Sequence, residues 1–203
     1  MSKITPYLDI RDQLITGTLV NCEHNDLFWR LIGHTAVLYK DVLTGQLHVF
    51  ESTTLNKFTG KSGVQMIPFG VWLAHYPGKV FVRIPEFNDI STGVQCAREA
   101  RAMDFIKEHL GTSYPDLKTL SGRFKLYLSA LDFKLFGVDL LTYKGDDEGI
   151  FCTMLIAMFL QELGYLHDAY AAREYEPDDT RGNASKFEKY LINVRYGKEI
   201  QLK

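Results

Sequence analysis

The chain has 203 residues, 46% hydrophobic and 24% charged, with a formal net charge of −2. That is enough for one domain with a substantial core, and the near-neutral balance argues against a nucleic-acid binder, since phosphate recognition needs a concentrated basic surface. The three cysteines, Cys22, Cys96 and Cys152, are dispersed and form no CxxC pair, which suits reduced thiols rather than a disulfide framework.

The N-terminal stretch MSKITPYLDIRDQLITG has neither the apolar centre nor the small-residue cleavage site of a secretory signal. A cytoplasmic protein is therefore expected, with delivery by a phage or another export route as the exception. Residues 5–14 predict a short helix halted near Gly17, and TGTLVNCE (16–23) a strand. NDLFWRLIG follows as a turn or short helix, and GHTAVLYKDVLTGQLHVFEST (33–53) as a hairpin. With a turn at Asp41–Thr44, position numbers in facing pairs sum to 85. Alternation then puts His34, Ala36, Leu38, Leu47, Val49 and Glu51 on one face, with His34 directly opposite Glu51. GVQMIPFGVWLAHY and GKVFVRIP continue a run of short strands to Pro85.

From Ser91 the period becomes helical. Val94, Ala97, Ala102, Phe105, Ile106 and Leu110 fall on one stripe, with Ser91 or Thr92 as cap and Gly111 as stop. SGRFKLYLSALDFKLFG (121–137) predicts a second helix. The four cations between Lys118 and Lys134 are spaced by Leu, Phe and Tyr, as on the solvated face of an amphipathic helix. GIFCTMLIAMFLQELG (149–164) predicts a third helix, opened by Asp146, Asp147 or Gly149 and closed at Gly164. Its apolar run is too short to span a bilayer, so no integral membrane association is expected. The tail from residue 174 reads as a polar loop followed by an edge strand or short helix. Strands first and helices after give the α+β class.

Cys152 falls in the first turn of the third predicted helix. There the helix dipole and unpaired amides favour thiolate, the nucleophilic form of cysteine. An adjacent imidazole would complete an ion pair, and a carboxylate behind it would fix its orientation. His34 and Glu51 are already paired on the hairpin, so a Cys152–His34–Glu51 triad is expected, with sulfur and imidazole within about 4 Å. Each of the three is commonly structural when met alone; it is the combination that points to chemistry. Cys96 competes as nucleophile, but its STGVQCAREA surroundings suit an exposed helix turn, and Cys22 ends a strand without an assignable partner. Phe28, Trp29, Trp72 and Tyr76 are candidates to line a pocket, although aromatic residues at such positions are more often core. Cys, His and Glu also bind zinc, but no closely spaced ligand pair such as HExxH is present.

LIGHTAVLY…HVFEST, followed much later by GIFCTMLIAMFLQELG, resembles the circularly permuted branch of the NlpC-type papain-like proteins, which includes YiiX-like hydrolases and the lecithin–retinol acyltransferase group. ITGTLVNCE likewise resembles the strand that precedes the histidine in that group. The resemblance covers residues 16–53 and 149–164. It implies a permuted papain-like fold over residues 1–203, with a helical insertion near 115–145. It also implies a nucleophile at Cys152, a general base at His34, an orienting residue at Glu51 and a site-lining tyrosine at Tyr114 of GTSY. The family often has Cys-Ser-Glu where this chain has Cys152-Thr153-Met154. The expected activity is cofactor-independent cysteine hydrolysis of an amide or ester, with a peptide or peptidoglycan-stem amide as substrate. Alternatives are an acyl-lipid acyltransferase or phospholipase of the same fold, and a non-catalytic peptide-binding module.

Overall fold

The computed structural model describes residues 4–25, 33–54, 59–87, 92–114, 150–175, 177–181 and 186–203. A short helix α1 (Tyr7–Ile10) passes into a 3-10 turn at Arg11–Gln13 and then, past Gly17, into strand β1 (Leu19–His24). Strands β2 (His34–Lys40) and β3 (Leu47–Thr53) form the expected hairpin. Its register differs from the expected one by two residues: Leu38 pairs with Val49 and Lys40 with Leu47, so facing positions sum to 87. The turn chemistry explains the shift. Asp41 Oδ1 accepts from the amides of Leu43 and Thr44, the Asp41 amide donates to Gln46 O at 2.9 Å, and Gly45 adopts φ +69° inside the loop instead of pairing with Lys40. A two-residue shift keeps every side chain on its face.

Strand β4 (Gly63–Pro68) leads directly into helix α2 (Phe69–His75). The sequence reading extended strand through this stretch. Pro68 takes the N-cap position in extended conformation, and the three- and four-residue spacing of Phe69, Trp72 and Leu73 buries all three against the sheet. Strands β5 (Gly78–Arg83) and β6 (Pro85–Phe87) follow. Helix α3 (Thr92–His109) has the expected limits, but its core face is confined to its C-terminal half: Ala102, Phe105 and Ile106 are buried, whereas Val94, Ala97 and Leu110 are exposed. Helix α4 (Cys152–Glu162) is followed by 3-10 turns at Ala172–Glu174 and Pro177–Thr180, helix α5 (Lys186–Lys189), and strands β7 (Val194–Tyr196) and β8 (Ile200–Gln201). The second expected helix, the 115–145 insertion and the cap candidates Asp146, Asp147 and Gly149 lie outside the described residues.

Six strands form one antiparallel sheet in the order β4-β3-β2-β1-β5-β8, and β6 pairs with β7 separately. One face carries Leu19, Val37, Tyr39 and Phe50 against the buried stripes of α3 and α4. The other carries Val20, Ala36, Leu38 and Val49 against Phe69 and Trp72 of α2 and Ile10 of α1. The protein is thus α+β, an antiparallel sheet covered by helices on both faces. Among the described residues no helix is long and apolar enough to cross a membrane.

Candidate active site

Helix α4 begins on Cys152 itself. Phe151 is its N-cap, extended at φ −73°, ψ 160°, and makes no side-chain cap hydrogen bond. An absent cap costs about 1 kcal/mol. Leu155, Ile156, Phe159 and Leu160 are fully buried along the same helix, each contributing roughly 1.5–3 kcal/mol, so docking onto the sheet outweighs the loss. The benefit of the uncapped end goes to the cysteine: the Thr153 amide hydrogen-bonds the Cys152 sulfur, as does the Thr35 amide from β2. Ser52 Oγ of β3 donates to Ile150 O, and the Ile150 amide donates to Ser113 O at 3.1 Å, which fixes the approach to the helix.

His34 opens β2 and hydrogen-bonds the Cys152 thiol. Its Nε2 meets Glu51 Oε2 at 2.8 Å, which leaves Nδ1 as the ring nitrogen for sulfur. Because of the shifted register, the imidazole reaches Glu51 diagonally along one face of the sheet rather than straight across it. Glu51 lies directly opposite Gln65 of β4. Gln65 Nε2 donates to Glu51 Oε1 at 2.9 Å, and Thr59 Oγ1 donates to Gln65 Oε1 at 2.9 Å. Both carboxylate oxygens are therefore engaged, in a side chain only 3% exposed. The imidazole retains 20% exposure, so the open side of the group lies at the histidine.

These placements determine the charges. Burial disfavours imidazolium, but hydrogen bonds and charge from Cys152 and Glu51 outweigh it and raise His34 to about 10. Burial likewise opposes the Cys152 thiolate, yet the His34 hydrogen bond and charge, with the Thr35 and Thr153 amides, bring that thiol below its usual value. The imidazole is thereby held toward its charged form, and the sulfur beside it toward thiolate.

Cys22 is the cross-strand partner of His34, and its buried thiol hydrogen-bonds the hydroxyl of Tyr76. This corrects the expectation that Cys22 lacks a partner. Burial raises both the Cys22 thiol and the Tyr76 hydroxyl well above their usual values, and the negative charge of Glu51 adds to each shift. They form a neutral floor beside the ion pair. The Tyr76 ring, stacked on Trp72 at 4.8 Å, is partly buried, while Trp72 is core. Tyr114 meets the Phe151 ring edge-on at 5.4 Å, one residue from Cys152. Cys96 is exposed on α3. Trp29 and Phe28 fall outside the described residues. Sequence reasoning missed Gln65 and the Thr35 amide. Alternation within GVQMIP puts Gln65 and Ile67 on one face, but matching that face to Glu51 needs the β3–β4 register. Among the described residues no group of three His, Cys, Asp or Glu side chains is arranged to hold a metal ion.

The sequence matches no protein-family model, and no curated protein matches it.

Proposed function

We propose that the protein is a cysteine hydrolase with a permuted papain-like, NlpC-type fold in one domain, acting on an amide or ester through an acyl-enzyme on Cys152. The observation that carries this reading is the continuous Cys152–His34–Glu51 hydrogen-bonded chain, with its cysteine at the first position of an uncapped helix. The order along the chain, histidine strand, carboxylate strand, then cysteine helix, is that of the permuted branch named above.

In this mechanism the Cys152 thiolate adds to the substrate carbonyl carbon. The carbonyl oxygen takes the displaced electron pair, and backbone amides at the α4 N-terminus offset its charge. Imidazolium His34 gives its Nδ1 proton to the departing amine or alcohol as the tetrahedral species collapses to the thioester. Neutral His34 then takes a proton from water, whose oxygen attacks the thioester; carboxylic acid leaves and the ion pair is restored. Glu51 keeps the Nε2–H in place and stabilises the imidazolium. Tyr114, against Phe151, supports a substrate-lining role beside the nucleophile. A peptide or peptidoglycan-stem amide is the substrate class we favour.

A panel of peptidyl and long-chain acyl electrophiles tests the proposal by intact-mass and peptide mass spectrometry. One covalent adduct on Cys152, formed faster by the peptidyl probes and absent in Cys152→Ala, is expected. Preferential capture of the acyl chains would reassign the substrate to lipids. Labelling that ignores Cys152, or treats it no differently from exposed Cys96, would remove the hydrolase reading.

A further inference from the structure

Asn21 lies on β1 on the face of Leu19, which packs toward α3 and α4, opposite Thr35 of β2, and is 1% exposed. All of its side-chain hydrogen-bonding capacity is used. Oδ1 accepts from Thr180 Oγ1 at 2.6 Å and from Thr35 Oγ1 at 3.2 Å. Nδ2 donates to Glu199 Oε1 at 2.9 Å and to Thr180 O at 3.3 Å. Thr35 Oγ1 also lies 3.4 Å from Thr180 Oγ1. One amide on β1 therefore joins β2, the Pro177–Thr180 turn and the segment before β8, none of which is near it in sequence.

The partners are held in turn. Thr180 O also accepts from Arg83 Nη1 at 3.1 Å. Glu199 Oε1 accepts from Arg181 Nε at 3.2 Å, and Arg181 Nη2 reaches Glu23 Oε1 at 3.0 Å. The knot sits beneath the first two residues of β2, where His34 binds the Cys152 sulfur through its ring and Thr35 binds it through its amide. Aspartate would suit the place badly, since it would lose both donors and face Glu199 with a second carboxylate. The apolar leucine would leave two hydroxyls, a carbonyl and a carboxylate without their common partner.

We propose that Asn21 is a positioning residue for the thiol–imidazole pair: by binding Thr35, Thr180 and Glu199 together, it fixes the start of β2 against Cys152. Geometry of this kind is demanding, because a displacement of about 1 Å in a reacting group can cost on the order of 100-fold in rate. The inference rests on the reading of Cys152 as an activated nucleophile and extends the site to the C-terminal segment.

The test is the iodoacetamide alkylation rate of Cys152 as a function of pH, resolved by peptide mass spectrometry, in the full-length parent, Asn21→Leu, Asn21→Asp and Thr35→Val. Circular dichroism and thermal melting establish which variants are folded at the assay temperature. A purely structural role would lower the melting temperature and leave the alkylation midpoint alone. A positioning role moves the midpoint of folded Asn21 variants upward by about one pH unit, or roughly tenfold slower reaction on the acid side. Thr35→Val, which removes the hydroxyl's contacts to Asn21 and Thr180 but keeps the amide and the volume, moves it less and in the same direction. It decides the matter if the Asn21 variants fail to fold. Folded variants whose profiles superimpose on a perturbed parent profile overturn the inference and leave the nucleophile reading intact. An ordinary thiol profile in the parent overturns both.

Discussion

Glu51 is the residue whose role separates a catalytic triad from a structural ion pair. Its Oε2 holds His34 Nε2, and its Oε1 is held by Gln65. Glu51→Gln preserves volume and the strand, but removes the charge that favours imidazolium and puts an amide against the Gln65 amide. Turnover of whichever substrate the electrophile panel identifies should fall by about 10²–10⁴-fold, the range a positioned acid–base group supplies. An equally active variant would leave Cys152 as nucleophile with a different third residue. The pairing of His34 with Glu51 was legible in the sequence because strand alternation fixes faces. The register was not, because it depends on Asp41 drawing the amides of Leu43 and Thr44 into a loop that includes Gly45. The position of Cys152 was legible from its place in an apolar helical run. The Thr35 amide was not, since a backbone donor leaves no trace in residue type.

The elements around the site depend on close backbone packing. Gly63 starts β4 at φ +99°, and a Cβ there would lie 2.3 Å from Thr112 O. The same Thr112 O accepts from the Val64 amide at 2.8 Å, and the Gly111 amide returns a bond to Val64 O at 3.0 Å. This clasp leads the chain from α3 to Ser113 and Tyr114 beside the site. Gly45 also has positive φ, but nothing lies within 4 Å of its Cβ position. Gly45→Ala should thus cost only the left-handed backbone preference, about 1 kcal/mol. Gly63→Ala should cost distinctly more, roughly 2–4 kcal/mol, because strain and a backbone collision add. Urea unfolding of the two variants compares them directly, and equal losses would refute the clasp. Helix α4 was legible because its apolar run is continuous and Gly164 ends it. Helix α2 was misread because a six-residue strand passes into it at Pro68, and the mixed stretch resembles neither period cleanly.

The fold is closed by Arg83, the largest fully buried side chain among the described residues. Its Nη2 meets Glu188 Oε1 at 2.6 Å and Tyr196 O at 3.2 Å, Nη1 meets Thr180 O, and Nε donates to Gly197 O at 3.1 Å. One guanidinium thereby fastens the last quarter of the chain to β5. Arg83→Met keeps much of the volume but takes the guanidinium partner from Glu188 and from the carbonyls of Tyr196 and Gly197. The expected loss is about 3–5 kcal/mol, as when one partner of a buried pair is removed. A loss below about 1 kcal/mol in chemical denaturation would show that the C-terminal segment is held by apolar packing alone. Nothing in the residue pattern marked this arginine, which ends a strand buried continuously from Val80 onward. Its role emerges only once distant segments converge on it.

The alkylation rate of Cys152 against pH tests whether Cys152 and His34 rest as a thiolate–imidazolium pair. Lowered by the imidazolium and two amides, the thiol should reach half its plateau rate below the ordinary cysteine value of about 8.5. His34→Ala should move that midpoint upward, because the cation that stabilises the thiolate is gone. A parent midpoint at or above the ordinary value, or one that His34→Ala leaves in place, would mean that no such pair forms.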